Sequence, residues 1–219
     1  MIIDCISDLH GEYPLLGGGD LLIIAGDLVG RSDVTAYTYF CNWLNAQNYR
    51  KKVVISGNHD TWLEENPRFF DGQTGIDYLC DSSTEFEGLK IYGSPWTHRF
   101  QGINPHCCAY AIRSNKLESN MESIPYDDID ILVTHTPPYM ILDEVWRSQF
   151  DGSDFPENTG SVSLRNRLLS PCSKVKLHVF GHIHEHGGRF FNTGLMTFIN
   201  ASLMNEHYEF VNEPVRIEL

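Results

Sequence analysis

The sequence predicts an α/β fold whose strand ends gather a ligand site, in a single domain spanning all 219 residues. Three observations predict it. Short, uniformly apolar runs such as Leu21–Ala25 have strand length and suit strands covered on both faces. Segments of helical period lie among them. Five of the apolar runs stop at a cluster of Gly, Asp, Asn or His, and ligands of open α/β sheets collect at the carboxyl ends of strands. Composition agrees, with 42% hydrophobic and 21% charged residues, ordinary for a globular chain.

Taken in order, Ile2–Ser7 is a strand ending at Asp8, followed by a Gly/Pro-punctuated loop to Asp20. Leu21–Ala25 is the second strand and ends at Gly26-Asp27. Between Ser32 and Asn48, Val34, Tyr37, Cys41 and Leu44 recur at helical spacing, with Ser32 or Asp33 as the cap. Val53–Ser56 is a strand running into Gly57-Asn58-His59-Asp60. Glu87-Gly88 separates Thr84–Phe86 from Leu89–Tyr92 and reads as a hairpin turn. Asp130–Thr134 is a strand ending at His135, Val162–Leu169 a helix before Pro171, and Leu177–Phe180 a strand entering Gly181-His182-Ile183-His184. The tail (Phe190–Phe191, Met196–Asn200, His207–Val211, Val215–Leu219) is strand-rich. Residues 97–128 and 139–160 lie between motifs and are the expected cleft walls, with Trp96, Tyr139, Trp146 and Arg147 as candidate substrate contacts.

The strand ends carry Asp8, His10, Asp27, Asn58, His135, His182 and His184. Asp8 and His10, like His182 and His184, stand at i and i+2, which aims both side chains the same way in extended chain. Seven ligands exceed the four of a closed structural zinc site and suit two ions that share a bridging group and keep open positions. Asp27, on a tight turn after Gly26, is the candidate bridge. A set of oxygen and nitrogen donors without thiolate fits manganese, iron or zinc. The six cysteines show no C-x-x-C, so they read as inert thiols. Cys107 and Cys108 beside His106 point to opposite faces in extended chain and make no soft-metal site.

Charge narrows the partners. The chain has 16 basic and 29 acidic residues, a balance of −13, which disfavours duplex nucleic acid and favours the gathering of cations. No apolar run reaches membrane-span length, and the first residues lack the basic and apolar regions of a signal peptide, so a cytoplasmic protein without membrane contact is expected. No G-x-S-x-G elbow and no phosphate-binding G-x-x-x-x-G-K-[ST] loop occurs.

The ordered set Asp8-Leu-His10, Gly26-Asp27, Gly57-Asn58-His59-Asp60, His135 and Gly181-His182-Ile-His184 resembles the calcineurin-like metallophosphoesterase superfamily. Ile91-Tyr-Gly-Ser-Pro-Trp96, Thr134-His-Thr-Pro-Pro138 and Ile199-Asn-Ala-Ser202 resemble its small metallophosphoesterase-domain-containing subgroup. The resemblance implies a four-layer αββα sandwich with a dinuclear centre at the carboxyl ends of the strands. It implies that Asp8, His10 and His184 hold one ion, that Asn58, His135 and His182 hold the other, and that Asp27 bridges. His59 then faces the leaving group. Arg31 is in register with a phosphate-binding arginine of related phosphatases, although its flanking residues differ; it reads either as substrate-binding with Asn58 and His59 or as a solvated side chain.

Two divalent ions clamp phosphoryl oxygens and lower the pKa of a bridging water, so no protein nucleophile is needed. Manganese is the expected metal, with iron, zinc or nickel as alternatives. His59 would protonate the departing oxygen, with Asp60 orienting it or stabilising its cationic form. The expected activity is a phosphodiesterase of small diesters, cyclic nucleotides (2′,3′ or 3′,5′) foremost. A phosphomonoesterase or protein phosphatase, and a metal-holding binding protein with vestigial activity, are the alternatives. His186, His98, His106, His178 and His207 are read as structural or surface residues.

Overall fold

Apolar strands need cover on both faces, and this chain supplies it by stacking two sheets and flanking each with helices. The computed structural model describes residues 1–99, 107–146 and 155–219; His106 and Arg147 fall outside the described residues. In order the elements are β1 (Ile2–Ile6), β2 (Gly19–Ala25), α1 (Val34–Ala46), β3 (Tyr49–Ile55), α2 (Thr61–Glu65), β4 (Ile76–Tyr78), β5 (Ser82–Phe86) and β6 (Leu89–Ser94). There follow β7 (Thr97–His98), β8 (Ala111–Ile112), α3 (Ser114–Glu122), β9 (Ile131–Thr134), β10 (Glu144–Trp146), β11 (Pro156–Asn158) and α4 (Val162–Leu168). The chain closes with β12 (Leu177–Phe180), β13 (Arg189–Asn192), β14 (Thr197–Asn200) and β15 (Val215–Glu218).

The first sheet has the order β15-β1-β2-β3-β4 and the second β13-β14-β12-β9-β6-β5. Within each, the central strands are parallel; β15 on the first sheet and β13 and β5 on the second are antiparallel edge strands, while the edge strand β4 runs parallel to β3. Between the sheets Cys5, Ile23, Val53 and Ile55 meet Ile91, Val133, Val179 and Ile199, all fully buried. Tyr37, Phe40 and Leu44 of α1 and Leu63 of α2 cover the outer face of the first sheet. Leu117 and Met121 of α3 with Leu164 and Leu168 of α4 cover the second. The result is the helix–sheet–sheet–helix layering that the motif resemblance implies. Register keeps the strand ends level: Ile6 pairs with Ile24, Ala25 with Ile55 and Val133 with Val179. The parallel strands therefore deliver their carboxyl ends to one edge.

Local signals account for most boundaries. Helix α1 starts because the Asp33 side chain accepts the Ala36 N–H at 3.0 Å, and α4 because Ser161 Oγ accepts Leu164 N–H at 3.1 Å. The inward stripe of α1 is Tyr37, Phe40, Cys41 and Leu44, whereas Val34 is 51% exposed and does not belong to it. Glu87 and Gly88 both have positive φ, at 50° and 78°, as a two-residue hairpin turn of this twist requires. One expected strand is absent. His207–Val211 forms a turn, because Asn205 Oδ1 accepts the N–H groups of His207 and Glu209 at 2.9 Å each, leaving them nothing to give a neighbouring strand. Helices α2 and α3 escape the sequence pattern; α2 has 5 residues and α3 buries just Leu117 and Met121. No described helix is long and apolar enough to cross a membrane.

Gly93 sets how closely the sheets approach. A Cβ there would lie 2.5 Å from Leu79 Cβ and 2.7 Å from Ile55 Cγ2. Gly93→Ala should cost about 1–3 kcal/mol of stability through overpacking. Urea unfolding checks it: the midpoint falls with an unchanged slope, and an unmoved midpoint would mean that the layers part freely.

Candidate metal centre

Five strand ends converge at that edge: β1, β2 and β3 from the first sheet, β9 and β12 from the second. The chain turns sharply as it leaves them. Asp8, His10, Asp27 and His182 all have left-handed backbones, with φ of 52°, 44°, 53° and 71°. Asp and His tolerate that region better than most side chains. The convergence of Asp8 with His10 thus comes from a left-handed turn and not from the alternation of an extended chain. The turns lock one another. Asp8 N–H donates to Gly26 O at 2.9 Å and His10 N–H to Asp27 O at 3.0 Å. His182 N–H donates to both Asp8 carboxylate oxygens, at 3.1 and 3.0 Å, and His59 N–H to Asp27 Oδ1 at 2.8 Å.

Asp8, His10 and His184 present ligand atoms within 4.8 Å of one another, as do Asp8, Asp27 and His135, and His10, Asp27 and His59. Asn58 joins them from β3: its Oδ1 lies 3.0 Å from His135 Nε2 and 2.9 Å from His182 Nδ1. Asp27 Oδ2 faces His10 at 3.8 Å on one side and His135 at 3.4 Å on the other, the position a shared carboxylate needs. Two rings are pre-set to offer Nε2. His135 Nδ1–H donates to Ala25 O at 2.8 Å, and His184 Nδ1–H to Asn205 O at 3.1 Å. His10 Nε2 is buried and has no hydrogen-bond partner. An orphaned ring nitrogen aimed at two carboxylates fits a cation, and the donor set of carboxylate, amide and imidazole fits divalent ions.

The electrostatics agree. Burial pushes Asp8 and Asp27 upward, but the imidazoles of His184 and His135 outweigh it and hold both carboxyls well below the usual carboxylate range. Burial disfavours charge on His135 too, yet Asp27 and Asp8 lift it to about 9. His182 and His10 go the other way, lowered chiefly by burial to about 3 and about 4. The centre is a pocket of two retained negative charges. Glycines make room for it: a Cβ on Gly57 would strike Asp27 Oδ1 and the His135 ring, and one on Gly181 would strike Ser7 and the Asp8 carboxylate.

The remaining sequence candidates fall elsewhere. Asp60 does not orient His59. Its carboxylate accepts Gly57 N–H at 2.8 Å, Leu28 N–H at 3.1 Å and Tyr37 OH at 2.7 Å, so it braces the turns after β2 and β3 against α1. His59 sits at the rim with its side chain 20% exposed, Nε2 3.9 Å from Asp27 Oδ2. Arg31 is outside the ligand cluster; its side chain is 89% exposed and pairs with Asp33 at 3.0 Å, beside a groove of about 450 Å³ that also borders His10, Tyr13 and Tyr39. Trp96 donates to Asp81 at 2.5 Å and Trp146 lies exposed on β10. His178 is buried in the second sheet against Thr134 Oγ1 at 2.8 Å.

Two further residues shape the centre, one outside every motif and one inside the Ile199-Asn-Ala-Ser202 motif without an assigned role. Tyr208, at φ 60° in the turn read as a strand, sets its ring centroid 5.0 Å from His10 and 4.9 Å from His184. Asn205, a turn-forming residue type, was the one local signal for it. Asn200 Nδ2 donates to Ile183 O at 2.7 Å and fixes the His182–His184 turn.

The family profile described as calcineurin-like phosphoesterase matches residues 1–186. Human metallophosphoesterase domain-containing protein 1 is 32% identical over 241 residues, covering 98% of this chain and 70% of that protein. A UPF0046 protein of Caenorhabditis elegans is 32% identical over 237 residues, covering 98% and 79%. Phosphopantetheinyl hydrolase from Mycobacterium tuberculosis superposes with a TM-score of 0.58 at 15% identity, covering 94% of this chain and 90% of that one. A putative 5′-nucleotidase from Staphylococcus aureus gives 0.52 at 14% identity, covering 91% and 48%. The two structural likenesses speak to the fold alone.

The Asp60 brace is open to test in metal-free protein. Asp60→Ala strands the Gly57 and Leu28 N–H groups, each a loss of about 1–3 kcal/mol when buried, whereas Tyr37→Phe removes one donor and costs about 1 kcal/mol. Denaturant unfolding should rank Asp60→Ala well below Tyr37→Phe. Equal stabilities would remove the bracing role.

Proposed function

The chain belongs to the calcineurin-like phosphoesterase family, and on that premise we propose that it acts as a phosphodiesterase on small diesters, cyclic nucleotides foremost. Membership makes it a metal-dependent phosphoester hydrolase. The diester preference rests on one observation: the charges acting most strongly on Asp8 and Asp27 are those of histidines, with Asp27 acting on Asp8 as well. Arg31 is engaged by Asp33 instead. Among the described residues no lysine or arginine acts strongly on these acids, and such a pocket, in a chain of charge −13, repels a dianionic monoester more than a monoanionic diester. The same charge makes a small molecule, and not duplex nucleic acid or a membrane, the partner of the whole chain, read as one cytoplasmic domain over residues 1–219.

In this reading Asp8, His10 and His184 would hold one ion, Asn58, His135 and His182 a second, and Asp27 would serve both. Divalent ions held there, manganese foremost and iron, zinc or nickel otherwise, would supply Lewis-acid charge for the phosphoryl oxygens and a more acidic water. The chain's own residues do the rest. Asn58 and His59 border the phosphoryl position, and Arg31 flanks the groove beside His10. His59, tethered by its N–H to Asp27 Oδ1 at 2.8 Å, stands at the rim of the centre and gives a proton to the departing oxygen.

Manganese-loaded protein should show a higher kcat/KM on a nitrophenyl phosphodiester than on the monoester, and lose both on chelation. Asp27→Ala should bind less metal per chain than any single replacement of His10, Asn58 or His182. Monoester turnover without diester turnover would make the protein a phosphomonoesterase.

His59→Ala should keep its metal, lose about 10²–10⁴-fold on cyclic nucleotides, whose alkoxide leaving groups need a proton, and lose far less on nitrophenyl esters. The ratio of the two losses is the measurement. Equal losses would assign His59 to substrate orientation.

A further inference from the structure

The outward nitrogen of His59 meets sulfur. Cys107 Sγ lies 3.3 Å from His59 Nδ1, on the side of the ring away from the Nε2 that faces Asp27. The acid next in sequence, Asp60, is taken up by Gly57, Leu28 and Tyr37. Nor is the cysteine an isolated contact. Its carbonyl oxygen accepts from Asn58 Nδ2 at 3.5 Å, and Ala109 N–H donates to Asn58 O at 3.1 Å. Tyr110 N–H then donates to Glu64 Oε1 at 3.0 Å, on α2 just beyond the same turn. The segment Cys107–Tyr110 therefore runs along the Asn58–His59 turn and is tied to it at both ends.

We propose that Cys107 is a positioning residue for His59, its thiol fixing the rotation of the imidazole so that Nε2 faces the leaving oxygen. The proposal rests on the reading of His59 as proton donor. The torsion that turns an imidazole about its Cβ–Cγ bond is broad and roughly two-fold, so backbone alone does not choose which nitrogen faces the centre. A thiol chooses in either protonation state. Its S–H donates to a bare Nδ1, and its sulfur accepts from Nδ1–H. A methyl group does neither, while a hydroxyl does both. The neighbouring carbonyl completes the arrangement by holding Asn58 Nδ2 outward, which leaves Asn58 Oδ1 facing His135 and His182.

The test uses Cys107→Ala and Cys107→Ser in the full chain, with Cys108→Ala, exposed and one residue away, as control. A contact of this strength corresponds to about 3–10-fold in the competent population. Cys107→Ala should lower kcat on a cyclic nucleotide by that factor, leave KM, metal content and nitrophenyl diester turnover unchanged, and be rescued by Cys107→Ser. A readout independent of turnover is the carbon–proton spectrum of the His59 ring in zinc-loaded protein, assigned by its loss in His59→Ala. Those signals should shift or broaden in Cys107→Ala and return in Cys107→Ser. Equal losses on both substrates, or loss of metal, would reduce the segment to a support for Asn58 and overturn the proposal. Should the wild-type protein turn over no diester, the phosphodiesterase reading falls, and unmoved His59 signals in Cys107→Ala would overturn the positioning role by themselves.

Discussion

Two carboxylates withdrawn from water govern this molecule. Asp8 is 0% and Asp27 2% exposed, and both stay ionised against the penalty of burial. Removing an ion from water costs several kcal/mol even after the surroundings relax, so each must be met by donors or cations. The donors arrive from far along the chain: His182 N–H and His184 reach Asp8 across more than 170 residues, and His135 reaches Asp27 across more than 100. Both acids stand at strand ends of the first sheet, whereas His135, His182 and His184 come from strand ends of the second. Pairing the sheets and assembling the centre are therefore one event, and a bound cation would relieve what the imidazoles and backbone amides leave uncompensated.

That demand explains the strain at the strand ends. A left-handed non-glycine residue costs of order 1–3 kcal/mol and persists only where its surroundings over-determine it. Four such residues sit among the candidate ligands. What over-determines them is the level register of β1, β2 and β3, which hands Asp8 N–H to Gly26 O and His10 N–H to Asp27 O, together with the glycines that let side chains of other strands pass. Stability held in the inter-sheet core is thus drawn on at the edge.

How much of this was legible follows from which interactions are local. Helix α1 and the turn at Glu87-Gly88 are written in caps, periodicity and turn chemistry, and they stand where the residues put them. The layering came from the family resemblance that the ordered motifs carry; periodicity by itself reached an α/β fold with ligands at strand ends. The i, i+2 spacing of Asp8 and His10 named the right pair with the wrong geometry, since spacing carries no φ. The turn at His207–Val211 was misread because alternating apolar residues do not reveal that Asn205 consumes the backbone donors. Tyr208 and Cys107 were out of reach for a different reason: both touch the centre from segments with no motif, and such contacts exist only once the sheets are stacked.

Asp60 shows why a perturbed acid is not by itself a catalytic one. Burial and the nearby charge of Asp27 raise its carboxyl to about 7, the range in which a proton donor would serve. Yet Asp60 is 0% exposed, and its oxygens are occupied by two backbone amides and the Tyr37 hydroxyl. A proton held there has no path to a leaving group. It serves instead to couple α1, through Tyr37, to the turn that carries Asn58 and His59, so that the outer helix layer and the centre share one rigid joint. His59 lacks that enclosure. Its backbone N–H is tethered to Asp27, sulfur meets its Nδ1, and its Nε2 faces the Asp27 carboxylate, with the side chain 20% exposed. Access to the reacting group, and not the position of a pKa, separates the proposed donor from the brace.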